Sequence, residues 1–284
     1  MKLNFVKMNS QGNDFIIIDN TISQHNLTTS LVKKISSRDN IGCDQLLLLN
    51  IKSPDNVLCQ IFNQDGSEAY QCGNGMRAIM SFLNKYYNYK NSSIVVKGIK
   101  YYASYLNENH IKITMGKPTF LKQDLMKKPT SFTLKDEKFY FHANLNDDTD
   151  TSYSFSPIML GNFHCVVFTS GCYDYKDSII KSLYDLYSSA PNISFILNFD
   201  RFIDTKDDHI KLKVNERGAG WTSSCGSGAS ATAAFAFEYC STFHNKLDQI
   251  YVEQDGGVLE IDQEDETLYL SGPTSFEYEG TWND

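Results

Sequence analysis

The 284-residue chain carries 26 basic against 34 acidic residues, a net charge of −8, and 41% of its residues are hydrophobic. That length suits two domains and that apolar content builds proper cores, while the acidic balance repels phosphate backbones and argues against a nucleic-acid binder. No apolar run approaches the roughly 20 residues of a membrane helix, and the opening MKLNFVKMNSQGND lacks the apolar stretch of a secretory signal. The expectation is a cytoplasmic protein with no membrane partner.

In chain order, FIIID (15–19), LLLL (46–49) and VLCQIF (57–62) read as strands, with an amphipathic helix near 28–37 between the first two. After CGNGMR (72–77), Met76, Ile79, Met80, Leu83 and Tyr87 fall on one helical face. IVVKG (94–98) and the alternating IKITM (111–115) are strands, and YASYLNENHIKITM turns at Asn107–Asn109. GKPTFLKQDLM (116–126) is the candidate crossing between two halves. FTLKDEKFYF turns at Lys135–Glu137. A second amphipathic helix lies near 176–187, and IKLKV (210–214) alternates as a half-buried strand. After CGSGAS (225–230), ASATAAFAFEYC is small and apolar on every side, so it reads as a buried helix. LEIDQEDETLYL turns at Gln263–Glu266. Strand–turn–strand units dominate, which gives an α+β class with mixed sheets.

Two features repeat. Gly12-Asn13-Asp14-Phe15 and Gly161-Asn162-Phe163-His164 each open an apolar strand, and each is followed by a Cys-Gly-x-Gly helix start. The interval is 59 residues in the first half (72 − 13) and 63 in the second (225 − 162). Matched order and spacing imply two halves of like fold, facing each other across a cleft. The seven cysteines form no Cys-x-x-Cys pair and have no His cluster beside them, which argues against a zinc site or a secreted disulfide framework. Cys43, Cys59, Cys165, Cys172 and Cys240 read as small buried hydrophobes.

A cysteine at a helix N-terminus is a different matter. Unpaired backbone N–H groups and the dipole favour its thiolate, and the adjacent glycines expose those N–H groups to an anion. Two such ends supply two thiols and two anion nests, which suits inversion of an amino-acid stereocentre: one base, one acid, and N–H groups that stabilise the carboxylate as the α-proton leaves. Other readings stay open. Each motif is also compatible with a structural turn over a buried thiol. A cysteine hydrolase would need one thiol and a base histidine. A redox switch joining Cys72 to Cys225 is compatible with the inversion chemistry. Neither glycine stretch has the Lys-Ser/Thr ending of a phosphate loop or fits the dinucleotide fingerprint.

GNDFIIID (12–19), RDNIGCDQLLLL (38–49), IFNQDGSEAYQCGNGMRA (61–78), MGKP (115–118), GNFHCV (161–166), NERGAGWTSSCGSGA (215–229) and DGGVLEI (255–261) together resemble the diaminopimelate epimerases over nearly the whole chain. The resemblance implies two pseudo-symmetric domains, each a curved mixed sheet or barrel wrapped around a central helix. Their expected bounds are 1–117 and 118–272, with a tail at 273–284 returning to the first. It implies a homodimer that needs no cofactor, neither PLP nor metal, and converts LL-diaminopimelate to the meso form for lysine and peptidoglycan precursors. By the same likeness Cys72 and Cys225 are the catalytic thiols, and His164 and Glu216 tune them. Asn13, Gln45, Asn63, Asn162, Asn192, Glu216 and Arg217 contact substrate, with the backbone N–H groups of Gly73, Asn74, Gly226 and Ser227. Arg217 suits the distal carboxylate and Glu216 an ammonium group. The chain departs from the usual pattern at Phe163 (commonly Pro), Trp221 (commonly Glu) and Ala78 (often Cys). Phe163 and Trp221 are close in sequence to site residues, which leaves a racemase of another amino acid as the alternative. A two-lobed binding protein is a further reading, though binding alone needs no thiols. Asp14, Asp19, Asp65 and Glu68 read as structural or solvated.

Overall fold

The apolar runs are long enough for strands, and the turn residues between them decide how they pair. The computed structural model describes residues 2–69, 71–121, 126–127, 135–145, 151–205, 208–244 and 246–283; the side chains of Lys135 and Asp136 are not among the described features. Part of the hairpin expected at 132–141 and part of the crossing expected at 116–126 therefore lie outside the described residues. The chain divides into two units, Met1–Thr114 with Leu270–Asp284, and Met115–Tyr269.

In the first unit β1 (Lys2–Ser10) pairs antiparallel with β2 (Asn13–Asp19). Helix α1 (Thr29–Ser36), capped by the Thr28 hydroxyl, carries the chain over to β3 (Gln45–Ser53), which lies parallel to β2. β4 (Asn56–Asn63) returns antiparallel and β5 (Glu68–Ala69) folds back on it. Cys72 then caps α2 (Gly73–Tyr87). β6 (Asn91–Val96) runs parallel to β4, and β7 (Ile99–Asn107) and β8 (His110–Gly116) form the expected hairpin. Strand alternation divides the apolar residues. Ile16, Ile18, Leu46, Leu48 and Phe62 pack with Leu31, Val32 and Ile35 of α1, which leaves Asn13, Phe15, Gln45, Ile61 and Asn63 on the α2 side.

The second unit begins with β9 (Thr119–Phe120), β10 (Lys135–Asp136) and β11 (Phe141–Asn144), and from β12 onward it repeats that order. β12 (Ser152–Leu160) pairs antiparallel with β13 (Asn162–Val167). A 3₁₀ turn and α3 (Lys176–Leu186) lead to β14 (Asn192–Ile196), parallel to β13. After α4 (Phe199–Thr205) come β15 (His209–Glu216), antiparallel to β14, and β16 (Gly220–Thr222), antiparallel to β15. Cys225 caps α5 (Gly226–Phe243). β17 (Gln249–Gln254) is parallel to β15 and β18 (Gly257–Glu264) antiparallel to β17. Asp265 and Glu266, both at positive φ, make the expected turn into β19 (Thr267–Gly272). Phe163, Cys165, Ile193 and Phe195 pack against Ile179, Leu183 and Leu186 of α3, while Phe168 stacks on Phe235 of α5 at 4.3 Å.

Strand for strand, β1 to β7 with α1 and α2 correspond to β12 to β18 with α3 and α5. Among the described residues the second unit adds the 3₁₀ turn at Cys172–Tyr175 and α4, the latter where the first unit has only a tight turn between β3 and β4. α5 is buried from Gly226 through Phe237 apart from Ser227, as its all-round apolar sequence requires. The last strand, β20 (Ser275–Asn283), belongs to the first unit and pairs antiparallel with β1.

Candidate functional site

The register gives exact partners. Phe15 lies opposite Gln45 and Gln45 opposite Asn63; His164 lies opposite Asn192, and Ile193 opposite Asn215, which brings Asn192 alongside Glu216. Asn13, Gln45 and Asn63 of the first unit thus match Asn162, Asn192 and Glu216 of the second. Each set sits at one end of its sheet, on the face that carries the thiol-capped helix.

At that end Cys72 has extended backbone, and its sulfur accepts the Gly75 N–H at 3.3 Å. Cys225 repeats this with Gly228 N, also at 3.3 Å. Gly73 and Asn74, like Gly226 and Ser227, therefore occupy the first helical turn, where N–H groups have no intrahelical acceptor. Of the matched pair Gly75 and Gly228, Gly228 is the more tightly enclosed. A Cβ on Gly228 would stand 3.1 Å from Val214 and 3.2 Å from the Cys225 sulfur.

The two thiols live in different surroundings. Half-buried Cys72 donates toward Asn13 Oδ1 at 3.9 Å, and Asn74 Nδ2 donates to the same oxygen at 3.3 Å. Gln45 Nε2 donates to Asn63 Oδ1 at 3.0 Å. Along α2, Arg77 is fully buried, and Nη2 donates to Gln11 Oε1 at 3.1 Å. Burial lowers its pKa to about 10, opposed by the charge of Cys72. Cys225 is buried, its N–H donates to Gln254 Oε1 at 2.9 Å, and its sulfur lies 3.6 Å from Ser227 Oγ. Burial raises the Cys225 thiol well above the ordinary cysteine value, and the Glu216 carboxylate beside it adds to the rise. Thr222 Oγ1 holds that carboxylate at 2.7 Å. Asn192 Oδ1 accepts the Arg217 N–H at 2.9 Å, and the exposed guanidinium reaches Ser189 at 3.4 Å. His164 is fully buried, both ring nitrogens lack a partner among the described residues, and burial lowers its pKa to about 4.

Two residues near the site in sequence turn their side chains to the opposite face of the sheet. Trp221 pairs with Asn215, one residue off Glu216, and packs on Tyr173 and Phe195. Phe163 packs on Tyr187 at 4.8 Å. Both lie on the α3 face of the sheet, away from Cys225. Sequence reading missed the ionic set behind Asn13: Lys7 and Arg38 hold Asp14, and Arg38 also holds Asp44. Asp14 is thus structural rather than solvated. Burial raises its carboxyl, but Arg38 and Lys7 outweigh that and hold it below the usual range. Arg77, Gln254 and Thr222 were also missed; an isolated polar residue carries no sign of where its side chain goes. Among the described residues no three His, Cys, Asp or Glu side chains are placed to hold a metal ion, and no helix is long and apolar enough to cross a membrane.

The diaminopimelate epimerase family model matches residues 5–121, a span that includes Cys72. The diaminopimelate epimerase of Legionella pneumophila (strain Paris) is 32% identical over 289 residues, covering 99% of each chain, and that of Blochmanniella pennsylvanica is 29% identical over 99% of this chain and all of its own. Among solved structures, a PhzF-family phenazine biosynthesis protein of Bacillus anthracis superposes over the full length of both chains with a TM-score of 0.67 at 14% identity. A hydroxyproline epimerase of Agrobacterium vitis, solved with trans-4-hydroxy-L-proline, gives 0.62 at 10% identity, covering 99% of this chain and 92% of its own. These two likenesses concern the fold, and the sequence relatives carry the rest. Matched at 32% identity over 99% of its length, the chain belongs to the diaminopimelate epimerase family.

Proposed function

We propose that this protein converts LL-diaminopimelate to meso-diaminopimelate by two-thiol proton transfer, with Cys72 and Cys225 as the acid–base pair. The observation that carries the reading is the duplication: one thiol per unit, each capping a helix with the same 3.3 Å contact. Inversion at a carbon needs a base on one face and an acid on the other, and a duplicated thiol supplies both. The substrate comes from the name shared by the sequence relatives.

In the forward direction the Cys72 thiolate takes the α-proton, and the C–H electron pair delocalises into the reacting carboxylate. The N–H groups of Gly73, Asn74, Gly226 and Ser227 stabilise the added charge. Cys225, held as thiol by burial and Glu216, delivers its proton to the opposite face. The product leaves with inverted configuration and the thiol roles exchanged. Asn13, Gln45, Asn63, Asn162 and Asn192 bind the polar ends of the substrate. The exposed guanidinium of Arg217 binds the distal carboxylate, and Glu216 suits an ammonium group. His164 acts on Cys225 from the matching position to Phe15. The two epimerase halves are assigned to 1–117 and 118–272, with 273–284 completing the first.

Incubation with LL-diaminopimelate in D₂O tests the proposal. The expected result is meso product carrying deuterium at one α-carbon. Absence of both product and deuterium uptake under reducing conditions would remove the substrate assignment, and uptake with a different amino acid would replace it.

A further inference from the structure

We propose that Asp44 is a positioning residue for the first thiol: it fixes the amide of Asn13 so that the carbonyl oxygen faces the Cys72 sulfur. The inference rests on the reading of Cys72 as a proton-transferring thiol. Three donors converge on the Asp44 carboxylate. Asn13 Nδ2 donates to Oδ2 at 2.8 Å, the Asp14 N–H donates to the same oxygen at 3.1 Å, and Arg38 Nη2 donates to Oδ1 at 2.6 Å. With Nδ2 engaged, the planar amide must turn Oδ1 the other way. There it meets Cys72 Sγ at 3.9 Å and Asn74 Nδ2 at 3.3 Å.

The support behind Asp44 is itself fixed. Arg38 forks onto Asp14 at 2.6 and 2.9 Å, Asp44 N donates to Asp14 Oδ1 at 2.9 Å, and Lys7 holds Asp14 from β1. The charged groups around the relay are thus Lys7, Asp14, Arg38 and Asp44, with Arg77 on α2. An acceptor beside a thiol favours the protonated form, and an N–H donor in its place favours the thiolate. Asp44 decides which of the two the Asn13 amide offers. The second unit has no such device. Its register places Phe163 where the first unit has Asp14, and Pro191 where it has Asp44. The relay therefore acts on Cys72 and leaves Cys225 alone.

Iodoacetamide labelling of the reduced, substrate-free full chain, with peptide mass spectrometry giving separate rates for Cys72 and Cys225, tests this. In Asp44→Asn the Asn13 amide is released and can turn its NH₂ to the sulfur. Cys72 should then label about three- to tenfold faster at pH 7, the thiolate fraction changing tenfold per pKa unit. The Cys225 rate should stay within about twofold. In an Asn13→Ala background the same substitution should add nothing, because the path runs through the amide. Should Asp44→Asn not fold, Asp44→Glu keeps the charge on Arg38 but displaces the oxygen from Asn13, and should move the Cys72 rate in the same direction. An unchanged Cys72 rate, an equal change at Cys225, or an undiminished effect without Asn13 would each overturn the proposal. Labelling needs no substrate, so the result stands apart from whether diaminopimelate is the amino acid turned over.

Discussion

His164 offers a quantitative check on the second unit. It is fully buried with both ring nitrogens unpartnered among the described residues, so the folded chain accommodates only the neutral ring. Its pKa falls from 6.5 to about 4. Above pH 6.5 folded and unfolded chains both hold it neutral, and its contribution to stability is fully present. As pH drops from 6.5 to about 4 the unfolded chain takes up a proton that the folded chain refuses, so stability declines through that window. At 1.36 kcal/mol per unit the loss is about 3 kcal/mol. The matched residue in the first unit is Phe15, which makes His164→Phe the natural comparison. That variant also removes the unpartnered nitrogens, so it should cost little at pH 7. The chain has two tryptophans, Trp221 in the second unit and Trp282 in the first. Urea unfolding followed by Trp221 fluorescence in a Trp282→Phe background reads the right unit. Between pH 7 and 4 the chain with His164 should lose about 3 kcal/mol more than the His164→Phe variant. Parallel stability curves would refute the neutral, unpartnered imidazole.

Three further outcomes follow from the geometry. Gly228→Ala places a Cβ 3.1 Å from Val214 and should cost about 1–3 kcal/mol of unfolding free energy in urea titrations, whereas Gly75→Ala, whose nearest contacts are 3.4 Å, should be close to neutral. Trp221→Ala should leave kcat/KM and substrate preference within about threefold while costing roughly 1–2 kcal/mol of stability from its lost contacts with Tyr173 and Phe195; a change of preferred amino acid would contradict its placement on the α3 face. Arg217→Lys keeps the charge but loses the two-point fork, so steady-state kinetics should show KM for diaminopimelate raised about tenfold or more with kcat little changed, and an unchanged KM would remove Arg217 from the binding role.

Much of the fold was legible because its signals are local. Cys-Gly-x-Gly followed by an apolar face marks a capped helix start, and α2 and α5 begin at Gly73 and Gly226. The hairpin turns at 107–109 and 263–266 fall where polar residues interrupt alternation. α4 was not legible, since in its seven residues only Phe199 and Phe202 are buried, too little for a period. No local signal shows the pairing of β20 with β1, which depends on tertiary packing; the return of the tail at 273–284 is expected from the family resemblance alone. The candidate site divides the same way. The two thiols and the strand-opening asparagines announce themselves by repetition. Asp44, Arg38 and Arg77 do not, because their meaning lies in what their side chains reach across the fold. For Trp221 the sequence shows only its nearness to Glu216; the strand's alternation, which turns the ring onto Tyr173 and Phe195, is set by the fold.

The central claim is that two thiols, one from each unit, share a single inversion. Turnover of LL-diaminopimelate in D₂O by Cys72→Ser and by Cys225→Ser, under reducing conditions and beside the unaltered chain, tests it most directly. Each variant should fold normally and lose at least about a hundredfold in meso product formation. Near-normal epimerisation by either one would contradict the account.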